Sequence, residues 1–366
     1  MRILLLKLGA IGDVVMAIPA AHALHQRGYQ VDWVCGPAVA PLLRLYPWIN
    51  VIPLDESRLR SGNLFQRVTA LLAFWRSLRR VRYELCATLY YDRRYRLLTL
   101  PVRAVRRLAL SRTERATCLL PGRHHTDEFA RILLGHLPGA PPEGETQTQL
   151  SPVAVAVEAL PSLPVELAGP SSDAIVLVPA GARNALRDDA LRRWPITFYV
   201  ALAEALLVKG HAVVLAGGPD DGWASPHFQH LAVTNVIGKL SLLETLALLN
   251  AAHVTVTHDT GPLHLAGLVS TAIVALFGPT DPHGRLPHRA NAVALWGGVG
   301  FACRPCYDGS NYAPCTHNGC LHQVTPAMVL EQVEQLLLAR REGRLLSPRI
   351  LMPEANPQLV VLQAND

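Results

Sequence analysis

The stretch MRILLLKLGAIGDVVMAIPA, residues 1–20, decides the fold. Arg2 to Leu8 is an apolar run broken only by Lys7, which reads as a buried strand. A glycine-flanked turn follows, Gly9-Ala10-Ile11-Gly12-Asp13, and then a helix-like run to Arg27 that Gly28 closes. Tyr29 to Cys35 reads as a second strand, so the opening is a βαβ unit whose turn sits at the carboxyl end of its first strand. Open parallel sheets bind ligands at that end. As an export leader the stretch fails, because Lys7 and Asp13 interrupt the apolar core that export requires.

The same pattern returns in the second half. Ala174 to Pro179 reads as a strand, Ile196 to Lys209 as a helix stopped by Gly210, and His211 to Ala216 as the next strand before Gly217-Gly218. ALHQRGYQVDWVCG (23–36) and ALLVKGHAVVLAGG (205–218) match in pattern. Two similarly wound halves imply an α/β protein of two Rossmann-like domains facing a central cleft. With the proline-rich stretch Pro138 to Pro170 as linker, the domains are expected over 1–160 and 171–345. Met328 to Arg341 carries helical spacing, and the tail 346–366 is expected along the surface.

Composition agrees with two cores, since 366 residues exceed one comfortable core and half of them are apolar. Apolar runs fall short of the roughly 18–20 residues that span a bilayer. Seven cysteines without an export signal imply reduced thiols and a cytoplasmic chain. The net charge of +6 is local: from Arg76 to Arg123 thirteen arginines face Glu84, Asp92 and Glu114. Such a face suits phosphate or an anionic membrane, and a solvated basic surface reads equally well.

Four segments carry candidate chemistry. Asp13 opens a helix after a glycine turn, as a general base or as a helix cap. His258-Asp259-Thr260-Gly261-Pro262-Leu263-His264 follows the strand Val254 to Thr257, and its backbone N–H groups suit a pyrophosphate. Phe277-Gly278-Pro279-Thr280-Asp281-Pro282 is a turn-dense loop after the strand Ala272 to Leu276. Ala180-Gly181-Ala182, with Arg187, Arg192 and Arg193 before Trp194-Pro195, supplies positive charge.

In this order the segments resemble glycosyltransferase family 9, the ADP-heptose:lipopolysaccharide heptosyltransferases. The likeness covers most of the chain and is specific in KLGAIGDVVMAIPA (7–20), GKLSLLETLALLNAAHVTVTHDTGPLHLAG (238–267) and VALFGPTDP (274–282). It implies the GT-B architecture, with an acceptor-binding first domain, a nucleotide-sugar-binding second domain, and inverting transfer that requires no cofactor. By this resemblance Asp13 is the catalytic base beside Gly12, and Arg192, Asp259, Thr260, Gly261 and His264 hold the donor diphosphate. Asp220 or Asp221 stands where the family commonly contacts the donor nucleoside. CATLYYDRRYRLL (86–98) replaces the more usual glutamine-glycine pair, and its Arg93 and Arg94 fit a phosphorylated acceptor. The implied partners are ADP-heptose and an anionic glycolipid, the lipopolysaccharide inner core, with peripheral contact at the inner membrane.

Cys303, Cys306, Cys315 and Cys320 offer four thiolates in eighteen residues, enough for structural zinc or iron, and reduced thiols fit as well. Related enzymes that glycosylate autotransporter proteins carry a cysteine-bound iron at another spacing. Other readings are a family transferase with another nucleotide sugar or a protein acceptor, and a nucleotide-binding module without catalysis. A nicotinamide oxidoreductase is disfavoured because the turn is Gly9-x2-Gly12 and lacks the three-glycine fingerprint. Nucleic-acid binding is disfavoured by a 6% aromatic content, a single basic stretch and no binding motif.

Overall fold

The structure, a computed structural model, describes residues 1–56, 63–139, 149–164, 174–184, 187–307, 311–315 and 317–354. The chain divides into two compact units, Met1–Val155 and Ala156–Asp366. The division falls within the proline-rich stretch 138–170, of which 140–148 and 165–170 lie outside the described residues, as do 355–366 of the tail.

The first unit is built on five parallel strands, β1 (Arg2–Leu6), β2 (Gln30–Cys35), β3 (Ile49–Pro53), β4 (Arg82–Thr88) and β5 (Arg103–Ala109), in the order β3-β2-β1-β4-β5. A central parallel strand is covered on both faces, so Ile3 to Leu6 are all apolar and fully buried rather than alternating. The helix Ile11–Gln26 links β1 to β2 and packs on the helix His125–Gly135. Leu4, Leu6, Val34, Phe74, Leu78 and Tyr83 share one core.

The second unit repeats this winding. Its seven-stranded sheet contains β6 (Ile175–Val178), β9 (Val213–Leu215), β10 (Thr234–Asn235), β11 (Val254–His258), β12 (Ala272–Phe277), β13 (Ala292–Trp296) and β14 (Arg349–Leu351), in the order β10-β9-β6-β11-β12-β13-β14. A two-residue ribbon, β7 (Arg183–Asn184) with β8 (Arg187–Asp188), stands apart from it. Trp194 and Tyr199 are buried beside the helix Ile196–Val208, and the Trp194 indole donates to the Val324 carbonyl at 2.7 Å. Residues 349–351 of the expected tail pair in parallel with β13, placing Ile350 beside Ala294 and so making this segment the sheet edge. Three residues are too few to show a period, which is why the sequence pattern gives no sign of this strand.

Each sheet reverses its winding once, between β1 and β4 and between β6 and β11. At such a switch point the loops leave in opposite directions and open a crevice at the carboxyl ends of the strands. Among the described residues no helix is long and apolar enough to cross a membrane.

Candidate active site

At the first switch point the turn after β1 meets the end of β4. Lys7 is almost wholly buried, with its side chain 7% exposed, and its ammonium lies 2.8 Å from the Asp13 carboxylate, which is 39% exposed. Lys7 also donates to the Leu89 carbonyl at 3.3 Å and sits 4.3 Å from the centre of the Tyr90 ring. The Tyr90 hydroxyl accepts from the Leu8 and Gly9 amides, at 2.9 and 3.1 Å, and donates to the Gly9 carbonyl at 2.9 Å. Tyr95 stacks on Tyr90 with ring centres 3.8 Å apart. The glycine turn is thus fixed from β4 through a phenol.

Ala10, not Asp13, caps the helix, and Asp13 is its third residue. Its carboxylate is directed at Lys7, so the ion pair orients a partly exposed carboxylate instead of closing a helix end. Gly12 is buried in the first helical turn. Arg94 is tied to Asp92 at 2.6 Å, and Arg93 caps the short helix Arg94–Leu98; both are exposed.

At the second switch point the chemistry centres on Asp259, whose side chain is 2% exposed. The Arg192 guanidinium reaches it at 2.7 Å and Arg285 at 3.5 Å. Burial alone would raise the Asp259 carboxyl, but Arg192, Arg285 and then His264 override it and hold the group well below the usual carboxylate range. Burial pulls the other way on Arg192, and the charge of Asp259 keeps it firmly protonated. Asp259 therefore anchors two guanidiniums.

Beside it, His258 is fully buried, with Nδ1 3.1 Å from the Tyr199 hydroxyl. Burial first, then Arg192 and Arg193, push its pKa down to about 3, so the ring is neutral. Arg192 Nε, His258 Nε2 and Thr280 Oγ1 are buried without a hydrogen-bond partner, among the described residues. Thr260 precedes the helix Gly261–Ala266, and its hydroxyl donates to the His258 carbonyl at 3.3 Å. His264 is buried in that helix. With six residues and a proline at its second position, the helix contributes a small dipole and one N–H fewer. Positive charge here comes chiefly from Arg192 and Arg285.

Of the residues singled out in sequence, Arg192, Asp259 and His264 meet around one carboxylate, with Thr260 and Gly261 adjoining. Arg285 was not anticipated; it lies beyond the loop 277–282 that marked the spot. Lys7 was seen only as a break in a strand. Asp221 is fully engaged in structure, its carboxylate accepting from the Gly181 amide at 2.9 Å and the Gly218 amide at 2.7 Å. Burial leaves it to clamp two loops, whereas Asp220 is exposed.

The four clustered cysteines are thiols. Burial, and then the neighbouring cysteines, push Cys320 up to about 12. Burial likewise raises Cys306, with Cys303 and Cys315 adding to the rise. Cys320 is pinned to the end of β13, since a Cβ on Gly297 would fall 1.8 Å from its carbonyl oxygen.

Two parallel sheets with these switch-point sites define a GT-B glycosyltransferase fold. Residues 136–317 match the description Glycosyltransferase family 9 (heptosyltransferase), and the chain belongs to that family. The Lipooligosaccharide heptosyltransferase 2 of Haemophilus influenzae is 32% identical over 155 residues, 40% of this chain and 43% of that protein. The chain thus aligns with less than half the length of that relative. Lipopolysaccharide heptosyltransferase 1 of Pseudomonas aeruginosa is 27% identical over 93% of this chain and 99% of that one. The solved E. coli ADP-heptose lps heptosyltransferase II superposes with a TM-score of 0.68 at 20% identity, covering 93% of this chain and all of that chain.

Proposed function

We propose that the chain is an inverting glycosyltransferase that moves heptose from ADP-heptose to the inner core of lipopolysaccharide, working in the cytoplasm at the inner membrane. The observation that carries this reading is the pair of guanidiniums, Arg192 and Arg285, anchored on one buried carboxylate at a sheet switch point. Two fixed positive charges suit a diphosphate, and the family membership supplies the sugar.

In the reaction an acceptor hydroxyl attacks the anomeric carbon from the face opposite the diphosphate. Asp13 takes the hydroxyl proton, the new glycosidic bond forms, and the bond to the diphosphate oxygen breaks. Charge then grows on the departing ADP. Arg192 and Arg285, with Thr260, Gly261 and His264 beside them, meet that charge already oriented, which lowers the barrier without reorganisation. Transfer of this kind needs no cofactor. Gly12 sits buried in the first helical turn next to Asp13, and Arg93 and Arg94 are exposed to meet acceptor phosphates.

Cys303, Cys306, Cys315 and Cys320 supply the thiol donors of a structural zinc or iron site, but among the described residues no three of their sulfurs lie within 4.8 Å of one another, so metal would have to draw them together and displace protons that burial holds on Cys306 and Cys320. Elemental analysis of protein purified under reducing conditions reads this directly, and less than about a tenth of an equivalent of zinc plus iron sinks it.

The test of transfer is release of nucleoside diphosphate from ADP-heptose, UDP-glucose and GDP-mannose with truncated lipopolysaccharide as acceptor. Acceptor-dependent release of ADP alone is the expected result. Release from another donor would retain the site and replace the sugar. Nucleotide binding without release from any donor would overturn lipopolysaccharide transfer in favour of a protein acceptor or a binding module.

A further inference from the structure

The helix Leu64–Leu78 of the first unit is capped at its start by Asn63, whose side chain accepts from the Gln66 amide. Phe74 and Leu78 are buried in the core and Leu71 and Trp75 pack against it, which accounts for one face. Among the described residues a second apolar stripe has no such cover: Phe65 is 78% exposed, and Val68 and Leu72 are exposed as well. At 3.6 residues per turn these three fall within about 60° of arc, and Arg76 and Arg79 continue the same stripe. The Trp75 indole donates to the Leu97 carbonyl at 3.2 Å, so exposed Leu97 and Leu100 belong to the same surface.

The charge around this patch is mainly positive, the acids between Arg76 and Leu100 being Glu84 and Asp92, the latter tied to Arg94. From Asn63 to Tyr83 the sequence holds five arginines and no aspartate or glutamate. Beyond the helix, Arg80, Arg82 and Arg103 line a shallow groove of about 340 Å³ at the amino ends of β4 and β5, with exposed Val105 at its edge. None of these three is paired with a carboxylate among the described residues. By contrast Arg106 and Arg107 are spent on the carbonyls of His136, Thr99 and Leu100, and Arg123 on Glu128.

An apolar stripe that ends in arginines, next to an arginine-lined groove, is the pattern of a surface that seats shallowly in a bilayer. Its side chains enter the acyl boundary while the guanidiniums meet headgroup phosphates. We infer that the helix Leu64–Leu78, with Leu97 and Leu100, is a docking face for a membrane rich in anionic lipid, and that Arg80, Arg82 and Arg103 hold a lipid phosphate. A bilayer is the occupant because the patch joins an apolar stripe to a strong excess of arginine, which complements anionic headgroups. The inference gives physical content to the glycolipid-acceptor reading above, but its test needs no turnover, so the two fail separately.

The experiment is sedimentation of the full-length protein with phosphatidylcholine vesicles, with and without phosphatidylglycerol. Binding is expected only when phosphatidylglycerol is present, weakening as salt is raised. Phe65→Ser with Leu72→Ser should lower the partition coefficient about tenfold or more. Arg80→Gln with Arg82→Gln should lower it about fivefold per arginine on anionic vesicles only. All four positions are exposed, and melting curves of the variants are expected to match that of the parent. Full binding by the Phe65→Ser, Leu72→Ser variant, or equal binding to both vesicle types, overturns the proposal. So does a drop in oligomer size for that variant, which would make the patch a contact between chains.

Discussion

Each sheet switch point carries an ion-paired aspartate, and the two are built in opposite senses. At the first switch point the cation is buried and the anion is open: Lys7 is 7% exposed and Asp13 39%. At the second the anion is buried and its cations lie nearer solvent: Asp259 is 2% exposed, Arg192 18% and Arg285 15%. In the proposed reaction the buried member of each cluster orients and the more open member acts. A partly exposed carboxylate can take a proton from a hydroxyl, and guanidiniums with an edge open to solvent can receive a diphosphate. On the proposed reading the same ion-pair chemistry serves a base in one unit and an anion site in the other.

The sharpest way to break this contrast is to remove the buried anion. Asp259→Ala leaves Arg285 facing Arg192, which keeps only the longer contact to Asp189 at 3.6 Å, and should cost about 3 kcal/mol of stability, read by denaturant unfolding. A variant as stable as the parent would mean the two arginines do not lean on Asp259. The corresponding change at the open anion should behave differently. Asp13→Asn is expected to reduce transfer a hundredfold or more, roughly 2.7 kcal/mol, while stability and nucleotide affinity stay near the parent values. Full activity in that variant would remove Asp13 as the base.

A smaller effect sharpens the difference in burial. Burial pushes His258 down to about 3 in the folded chain against an ordinary imidazole value near 6.5, so the unfolded chain binds the extra proton between those values. Its contribution to stability is complete above about pH 6.5 and is lost as pH falls toward 3, on the order of 2 kcal/mol by about pH 5. Thermal melts from pH 7.5 to 5 should show this loss, and His258→Asn should flatten it. An unchanged slope in the variant would place the titrating group elsewhere.

Much of the fold was legible because winding leaves a repeated trace. The run Arg2 to Leu8, the stop at Gly28 and their echoes at Ala174 and Gly210 mark strands and helix ends by local rules. Asp13, Arg192 and Asp259 were reachable because each follows a strand at its ligand-bearing end. Lys7 and Arg285 were not, since their roles depend on tertiary approach: Lys7 on a neighbouring helix turn, Arg285 on a partner 26 positions earlier in the chain. The thirteen arginines posed the converse problem. Sequence shows the excess of charge, but only contacts separate Arg106 and Arg107, which bind carbonyls, from Arg80, Arg82 and Arg103, which line a groove.

The Asp221 clamp has a consequence for anyone wishing to re-engineer the donor side. One side chain joins the loop after β6 to the loop after β9, so neither can be lengthened or grafted as a separate module. A transplant from a relative would have to carry both loops and the aspartate together, as a single inherited cassette.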